Sequence, residues 1–372
     1  MNISIFNRLA VVAAFFLAIT RAALFAGPDQ DLGDFNIFPD DNVWKWDISN
    51  YQVHPNSGNY LASVGTTTKL HPDFGTVYDG APMGIPYVIV TLAQPPVPIV
   101  YTDYGDESDP GPFPVPLTAS IEGGPASTGD RHVIAVDKDR KFLYELYYAF
   151  PKTDHWEASC GAMFDLTRNV DRPLGWTSAD AAGLPIFPGL VRYEEVYINK
   201  EVNHAIRMTI QNSQKAYIYP ARHYASSSTD VNRPPMGLRF RMKASYDISG
   251  FSAPIRVICL AMKKHGLIVA DNGSNWYISG APDPRWSDDT LNELKTVPGS
   301  AFEAVLTVDA QGNPIKPSSV LPEARVSGCA TGPKSAARFV DGRWTYFPDA
   351  SAREIRFNLQ GRKVVKNNYS HL

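Results

Sequence analysis

The stretch from Gly175 to His223 carries the densest set of side chains able to do chemistry. It holds Asp180, Glu194 and Glu195, the imidazoles of His204 and His223, and the guanidinium groups of Arg192, Arg207 and Arg222, set among Gly, Pro and aromatic residues. Polar side chains packed among turn residues inside an apolar frame are how a site is carried on a scaffold. Two chemistries fit. Glycosidic hydrolysis needs two facing carboxyl groups, one to give a proton and one to activate water or attack carbon. Asp180 is the candidate here, and Glu122, in the loop Ile121-Glu122-Gly123-Gly124, is the second. Elimination on a uronic acid needs a cation to neutralise the substrate carboxylate and a base to take a proton. His204 and His223, beside Arg207 and Arg222, suit that role. Asp180 has a structural alternative as the cap of a helical turn over 178–182.

Three further groups could assist. Gly129-Asp130-Arg131-His132 precedes a strong strand, where an aspartate can orient an imidazole or hold a guanidinium. Asp130, Arg131, His132 and Arg207 are therefore candidates for substrate binding; a turn with surface side chains is the alternative. Trp276 and Trp286 can stack on sugar rings, or pack in the core. A metal held by His132, His204 and His223 lacks any HxH or HExxH spacing, so no metal site is expected from these histidines. Asp106, Glu107 and Asp109 could hold calcium. Their loop lacks the Gly and Glu positions of a known calcium loop, and a solvated acidic turn is the other reading. There is no GxSxG, no GxxxxGK and no GxGxxG.

The elements that must position these residues are mostly strands. The 30 Pro and 27 Gly of the 372-residue chain cut it into short segments. β-branched and aromatic residues predict strands over 87–92, 99–101, 132–136, 143–148, 205–210, 216–219, 238–243, 266–270 and 276–278. The alternation Leu238-Arg239-Phe240-Arg241-Met242-Lys243 predicts one buried and one cationic face. Two helices are predicted, over 254–265 and 288–295. The first has Pro254 in its first turn, Ile255, Ile258, Ala261 and Met262 on one face, Lys263 to His265 at its end, and Gly266 as cap. Many strands and few helices predict a mainly β protein, a single large domain like a β-sandwich or jelly roll, with a small C-terminal β appendage.

The expected divisions are a signal peptide over 1–26, the main domain over 27–308, a connector over 309–324 and the appendage over 325–372. Asn7 and Arg8 precede an apolar run that is short for a membrane span, and Ala22, Ala23 and Ala26 follow it. The expectation is a secreted or cell-surface protein with no span in its mature chain. A formal net charge of −3 and the lack of any basic run exclude a nucleic-acid partner. Cys160, Cys259 and Cys329 show no CxxC spacing and are read as unpaired and buried, without a zinc-thiolate site. The end of the chain, a strand, a Gly361 turn and a basic-apolar strand, is similar to small β sorting domains of exported bacterial proteins, and equally to an ordinary hairpin.

Several motifs together carry a broader resemblance. They are Phe38-Pro39-Asp40-Asp41-Asn42-Val43-Trp44, His71-Pro72-Asp73-Phe74-Gly75, Gly129-Asp130-Arg131-His132, Trp176 to Glu195, Asp247-Ile248-Ser249-Gly250-Phe251 and Gly266 to Trp286. Over about residues 35–305 the chain resembles a widespread family of exported bacterial proteins. The resemblance brings neither an activity nor catalytic residues. From the residues themselves the expectation is a carbohydrate-active protein, a hydrolase or lyase on an extracellular polysaccharide. The alternatives are a non-catalytic glycan-binding module or a structural envelope protein, and the partner in the first two cases is a polysaccharide or cell-surface glycan.

Overall fold

Val133–Asp137 is buried at every position, and its alternation sorts two cores. Ile134 and Val136 join the main core, while Val133 and Ala135 join a second one. Its neighbour Phe142–Tyr147 divides in the same way, with Leu143 on the main side and Tyr144 and Leu146 on the other. A strand covered on both faces reads as a continuous apolar run, which is how 132–136 is written. The computed structural model containing these strands describes residues 32–33 and 35–319, plus the backbone of four short strands nearer the C-terminus. The expected signal peptide lies outside the described residues.

The four-stranded sheet has the order Cys160–Asp165, Phe142–Tyr147, Val133–Asp137, Tyr87–Val90. A three-stranded sheet of Ile99–Tyr101, Trp156–Ala158 and Phe150–Pro151 supplies Trp156 and Ala158 to the second core. The large sheet has six strands, in the order His71–Asp73, Tyr277–Ser279, Ile206–Ile210, Leu267–Asn272, Arg239–Met242, Phe302–Val305. Its apolar face shares the main core with the inner face of the four-stranded sheet, and residues from Phe38 to Val305 contribute. Full burial of a Leu, Ile or Phe side chain contributes about 1.5–3 kcal/mol relative to exposure, so this shared core is what fixes the two sheets against each other. The protein is mainly sheet with a few short helices. Parallel pairs occur in all three of these sheets, which a strictly antiparallel jelly roll does not contain.

The longer helix is observed over Ala253–Lys264, with Ile255, Ile258, Cys259, Ala261 and Met262 buried. Gly266 follows at φ 74°, and its N–H bonds to the Ala261 carbonyl at 3.1 Å. A Cβ there would lie 2.4 Å from the Phe240 carbonyl, so only glycine both ends the helix and enters the next strand. The second helix is α-helical over Asp288–Leu291 and 3₁₀ over Asn292–Thr296. Cys160 and Cys259 are buried free thiols; Cys329 lies outside the described residues.

Two expectations need correction. Residues 216–219 form no strand; Tyr217 makes one isolated bridge to Met236. The cationic face of Arg239–Met242 does not meet water. Arg241 donates to the carbonyls of Ile48, Ser49 and Tyr51 at 2.7, 2.7 and 3.0 Å, and Arg239 to that of Val43 at 2.8 Å. The alternation is real, but chain from 43 to 51 covers its polar side; carbonyls take the place of water for Arg241 and for Nη2 of Arg239, while Nε and Nη1 of Arg239 are buried without a partner. Toward the C-terminus Ala336–Val340 pairs with Arg343–Phe347, and Arg356–Phe357 with Lys363–Val364, both antiparallel.

Candidate functional site

The large sheet places a row of polar residues on one side. Asp73 is in register with Ser279 on the neighbouring strand. The next strand contributes Arg207, whose Nη1 donates to Ser279 Oγ at 2.8 Å. The strand after that contributes Asp271, opposite Thr209, just past a register shift at Met208/Thr209. Arg207 is 4% exposed and holds two carboxylates at once. It grips Asp180 through Nε and Nη2, both at 2.9 Å, and reaches Asp271 Oδ2 at 3.2 Å.

Asp180 is presented by a tight turn, not by a capped helix. Ser178 Oγ accepts from the Asp180 N–H at 2.9 Å and donates to the Leu184 carbonyl at 2.5 Å. Gly183 closes the turn at φ 70°, where a Cβ would lie 2.5 Å from the Trp176 carbonyl. The Asp180 side chain is wholly buried, with both oxygens on Arg207. It cannot reach a substrate, and its place as a catalytic acid or base is replaced by that of Arg207's anchor.

The facing wall comes from the start of an inner strand of the four-stranded sheet and the loop before it. His132 directly precedes Val133–Asp137 and is buried. Its Nε2 lies 3.0 Å from the Ala179 carbonyl, beside the Asp180 turn, and its Nδ1 lies 2.6 Å from Glu122 Oε2. A carbonyl only accepts, so Nε2 carries a hydrogen and Nδ1 is the nitrogen aimed at Glu122. Glu122 is a quarter exposed and Asp130 is exposed. The donor atoms of Glu122, Asp130 and His132 all lie within 4.8 Å of one another. Arg131 does not join them. At φ 53° it turns away, donates to the carbonyls of Ala149, Pro125 and Ser127, and lies 4.1 Å over the Phe150 ring. It holds the loop that carries Asp130 and is not free for substrate.

The charges of the cluster are unevenly balanced. Desolvation pushes the Asp271 carboxyl up to about 7, Asp180 adds to this, and Arg207 offsets only part of it. One guanidinium serves two carboxylates, and Asp180 takes the bidentate half. Burial opposes the charge of Glu122, but the charge and hydrogen bonds of His132 outweigh it and hold its carboxyl below the usual value. Burial also opposes the charge of His132, and Glu122 overcomes it, raising the imidazole to about 9. Asp73 opens to solvent at the rim; desolvation at its base and then the charge of Glu122 raise it.

Beneath the cluster, Glu145 is completely buried and accepts the backbone N–H groups of Ile186 and Phe187 at 2.9 and 2.8 Å. Desolvation raises its carboxyl to about 7, although those two amides oppose the rise. A carboxyl with a raised folded pKa contributes fully below its unfolded value, and that contribution is lost as pH rises from about 4.5 to about 7. Glu145→Gln keeps an oxygen for both amides without the charge. The variant should equal or exceed the parent in urea unfolding at pH 8 and lose its advantage at pH 5. A constant difference across that range would contradict this.

Other expected site residues lie elsewhere. His204 is buried, with Nδ1 on the Ala205 carbonyl at 2.8 Å and Nε2 on Glu195 at 3.1 Å, and Glu195 also pairs with Arg192. His223 bonds the Ala181 carbonyl at 2.9 Å and stacks on Tyr224. Among the described residues neither joins His132 in a common ligand set. Trp276 is fully buried between Phe240 and Phe302, and its Nε1 donates to the Gly65 carbonyl at 2.9 Å. Trp286 is buried against Phe74, Tyr193 and Tyr197. Neither can stack on a sugar; both fill the gap left where the sheet turns into loops. The aromatic rings beside the cluster are tyrosines. Tyr147 lies near enough to Asp130 and Asp271 to feel their charges, and Tyr148, 42% exposed, lies next to it. In the acidic loop, Asp109 pairs with Arg172 and accepts from the Met163 N–H, while Glu107 accepts from the Thr177 N–H. These oxygens are committed to the fold, and no calcium site is assigned there.

A groove of about 580 Å³ between the longer helix and the Arg241–Met242 edge is lined by Val202, Leu260, Ala261 and Lys263. It lies apart from the cluster, and its rim carries the Lys264–Glu201 pair at 3.6 Å. Comparison of the chain with family models, with curated proteins and with solved structures gives no match, which adds nothing to the resemblance drawn from its motifs.

Proposed function

We propose that the protein is an exported hydrolase of a neutral or amino-sugar polysaccharide, working by acid–base catalysis at the Asp271–Glu122 cluster. What supports this reading is the placement of Asp271, a partly exposed carboxyl that shares Arg207 with the bidentate Asp180 and is raised by burial and by the Asp180 charge. Titratable groups pushed apart by their surroundings mark the acid and the base of a site. Asp271 gives its proton to the leaving glycosidic oxygen as the carbon–oxygen bond breaks. Water attacks the anomeric carbon and passes its proton to Glu122. Tyr147 and Tyr148 offer ring faces for a sugar beside these groups.

The choice of hydrolysis over elimination follows from charge. A lyase for uronic acids needs a free cation, and Arg207 is already bound to Asp180, Asp271 and Ser279. Asp73, Glu122 and Asp130 would repel a uronate. A two-layer sandwich of the large and four-stranded sheets, with the cluster at its margin, is the architecture proposed to support this.

Release of new reducing ends from a panel of neutral, amino-sugar and uronate polysaccharides tests the reading. Hydrolysis of a neutral or amino-sugar polymer is expected, with Glu122→Gln at least about tenfold slower. Binding without turnover would favour a glycan-binding module, and unsaturated products from a uronate polymer would favour the lyase.

A further inference from the structure

We infer that Glu122, Asp130 and His132 form a binding site for a divalent transition-metal cation, with His132 Nδ1 as its nitrogen ligand. The imidazole is oriented for this, and the cation replaces the proton that Nδ1 shares with Glu122, releasing it to solvent. Its Nε2–H is fixed by the Ala179 carbonyl at 3.0 Å, the outer hydrogen bond that orients metal-bound imidazoles and leaves the other nitrogen for the metal. The ring is 2% exposed, so Nδ1 stays pointed at the carboxylates. Glu122 presents Oε2 to Nδ1 at 2.6 Å, and Asp130 completes a set of donor atoms within 4.8 Å of one another.

The outer side is open. Asp130 is exposed, and its carboxylate has no hydrogen-bond partner among the described residues. Metal–ligand bonds of about 2.0–2.2 Å place neighbouring donors about 3–3.5 Å apart, so the Nδ1–Oε2 pair at 2.6 Å must open slightly while Asp130 closes in. Rotation of the exposed Asp130 side chain supplies that movement. Asp73 feels the charges of Glu122 and Asp130, so this side of the cluster carries an excess of negative charge. Arg207, whose charge reaches Glu122 and His132, is bonded elsewhere. One imidazole nitrogen with carboxylate oxygens suits Zn²⁺ or Mn²⁺ better than Ca²⁺, which takes six to eight oxygens. Positions not filled by protein remain for water or sugar hydroxyls. Glu122 is a quarter exposed and uses Oε2 toward His132, so the site is compatible with the acid–base reading but does not depend on it.

The test uses the full chain. Calorimetric titration with Zn²⁺ should give one site per chain, with Ca²⁺ at least about tenfold weaker. Asp130→Asn should weaken Zn²⁺ at least about tenfold, a loss of the size seen when a metal site is depleted of a supporting group. Asp130 is exposed, so this variant should fold as the parent does. Mn²⁺ should broaden the ring protons of His132 before those of His204, His223 or His265. Failure to bind one Zn²⁺, unchanged affinity in Asp130→Asn, or broadening that spares His132 would overturn the inference. Asp271→Asn separates the two proposals. It should keep Zn²⁺ affinity within about twofold while losing hydrolysis, because Asp271 is not a ligand. Metal binding without any hydrolysis sinks the hydrolase alone; hydrolysis without metal binding sinks the metal site alone.

Discussion

Arg207→Met should destabilise the protein by about 3–5 kcal/mol in urea unfolding, the usual cost of removing one partner from a buried ion pair. Arg207 ties Asp180 and Asp271 together through direct hydrogen bonds. Its removal leaves Asp180 wholly buried with both oxygens unpaired, and takes from Asp271 the only guanidinium hydrogen-bonded to it among the described residues. Ser279 loses its donor as well. Part of the loss can be recovered by protonating the two carboxyls, so the effect should shrink as pH falls toward 4. Pairing the change with Asp180→Leu should restore part of the stability, because an apolar pair of similar volume replaces an unpaired charge. A loss under about 1 kcal/mol, the level of an exposed ion pair, would mean that the guanidinium does not organise this region.

Asp271→Asn should reduce turnover by about 10²–10⁴-fold, the range that a positioned general acid supplies. The protein should still fold. Asparagine retains an oxygen for the Arg207 N–H, and it removes the surplus carboxylate from a guanidinium already gripped by Asp180. The pH dependence follows from the same imbalance. The acid is competent while protonated, so parent activity should fall as pH rises through about 7. Stability carries the same sign: ionisation of Asp271 opposes folding, and its contribution is lost between the usual aspartate value near 4 and about 7. The variant should therefore be as stable as the parent, or more so, at pH 8. A variant with parent-like turnover would remove Asp271 from the mechanism.

The residues that come together were legible in part. Glu122, Asp130, His132 and Arg207 stand out in the sequence because each sits beside a strand or turn in a polar setting, and they meet in one cluster. The strand over 132–136 and the helix over 254–265 were readable because burial on both faces and a one-sided apolar stripe leave distinct patterns. Asp271 was hidden because Asp271-Asn272-Gly273 reads as a turn, whereas the strand runs on through Asn272 after the ladder shifts register. Asp73 was hidden in a three-residue edge strand, too short to show a period. Asp180 was visible, but its total burial was not: pairing with Arg207 links positions 27 residues apart, and nothing local encodes it. Trp276 and Trp286 show the converse limit, since an aromatic side chain in a loop-rich segment is written the same way whether it faces sugar or the core.

The most direct measurement needs no knowledge of the substrate. Carbon NMR of the side-chain carboxyl of Asp271, assigned by its loss in Asp271→Asn, gives the titration midpoint of this group in the folded protein. The expected midpoint is about 7, with the proton retained through the mildly acidic range in which the cluster would work. A midpoint near the ordinary aspartate value of about 4 would show Asp271 to be a second charged partner of Arg207, with no proton to give.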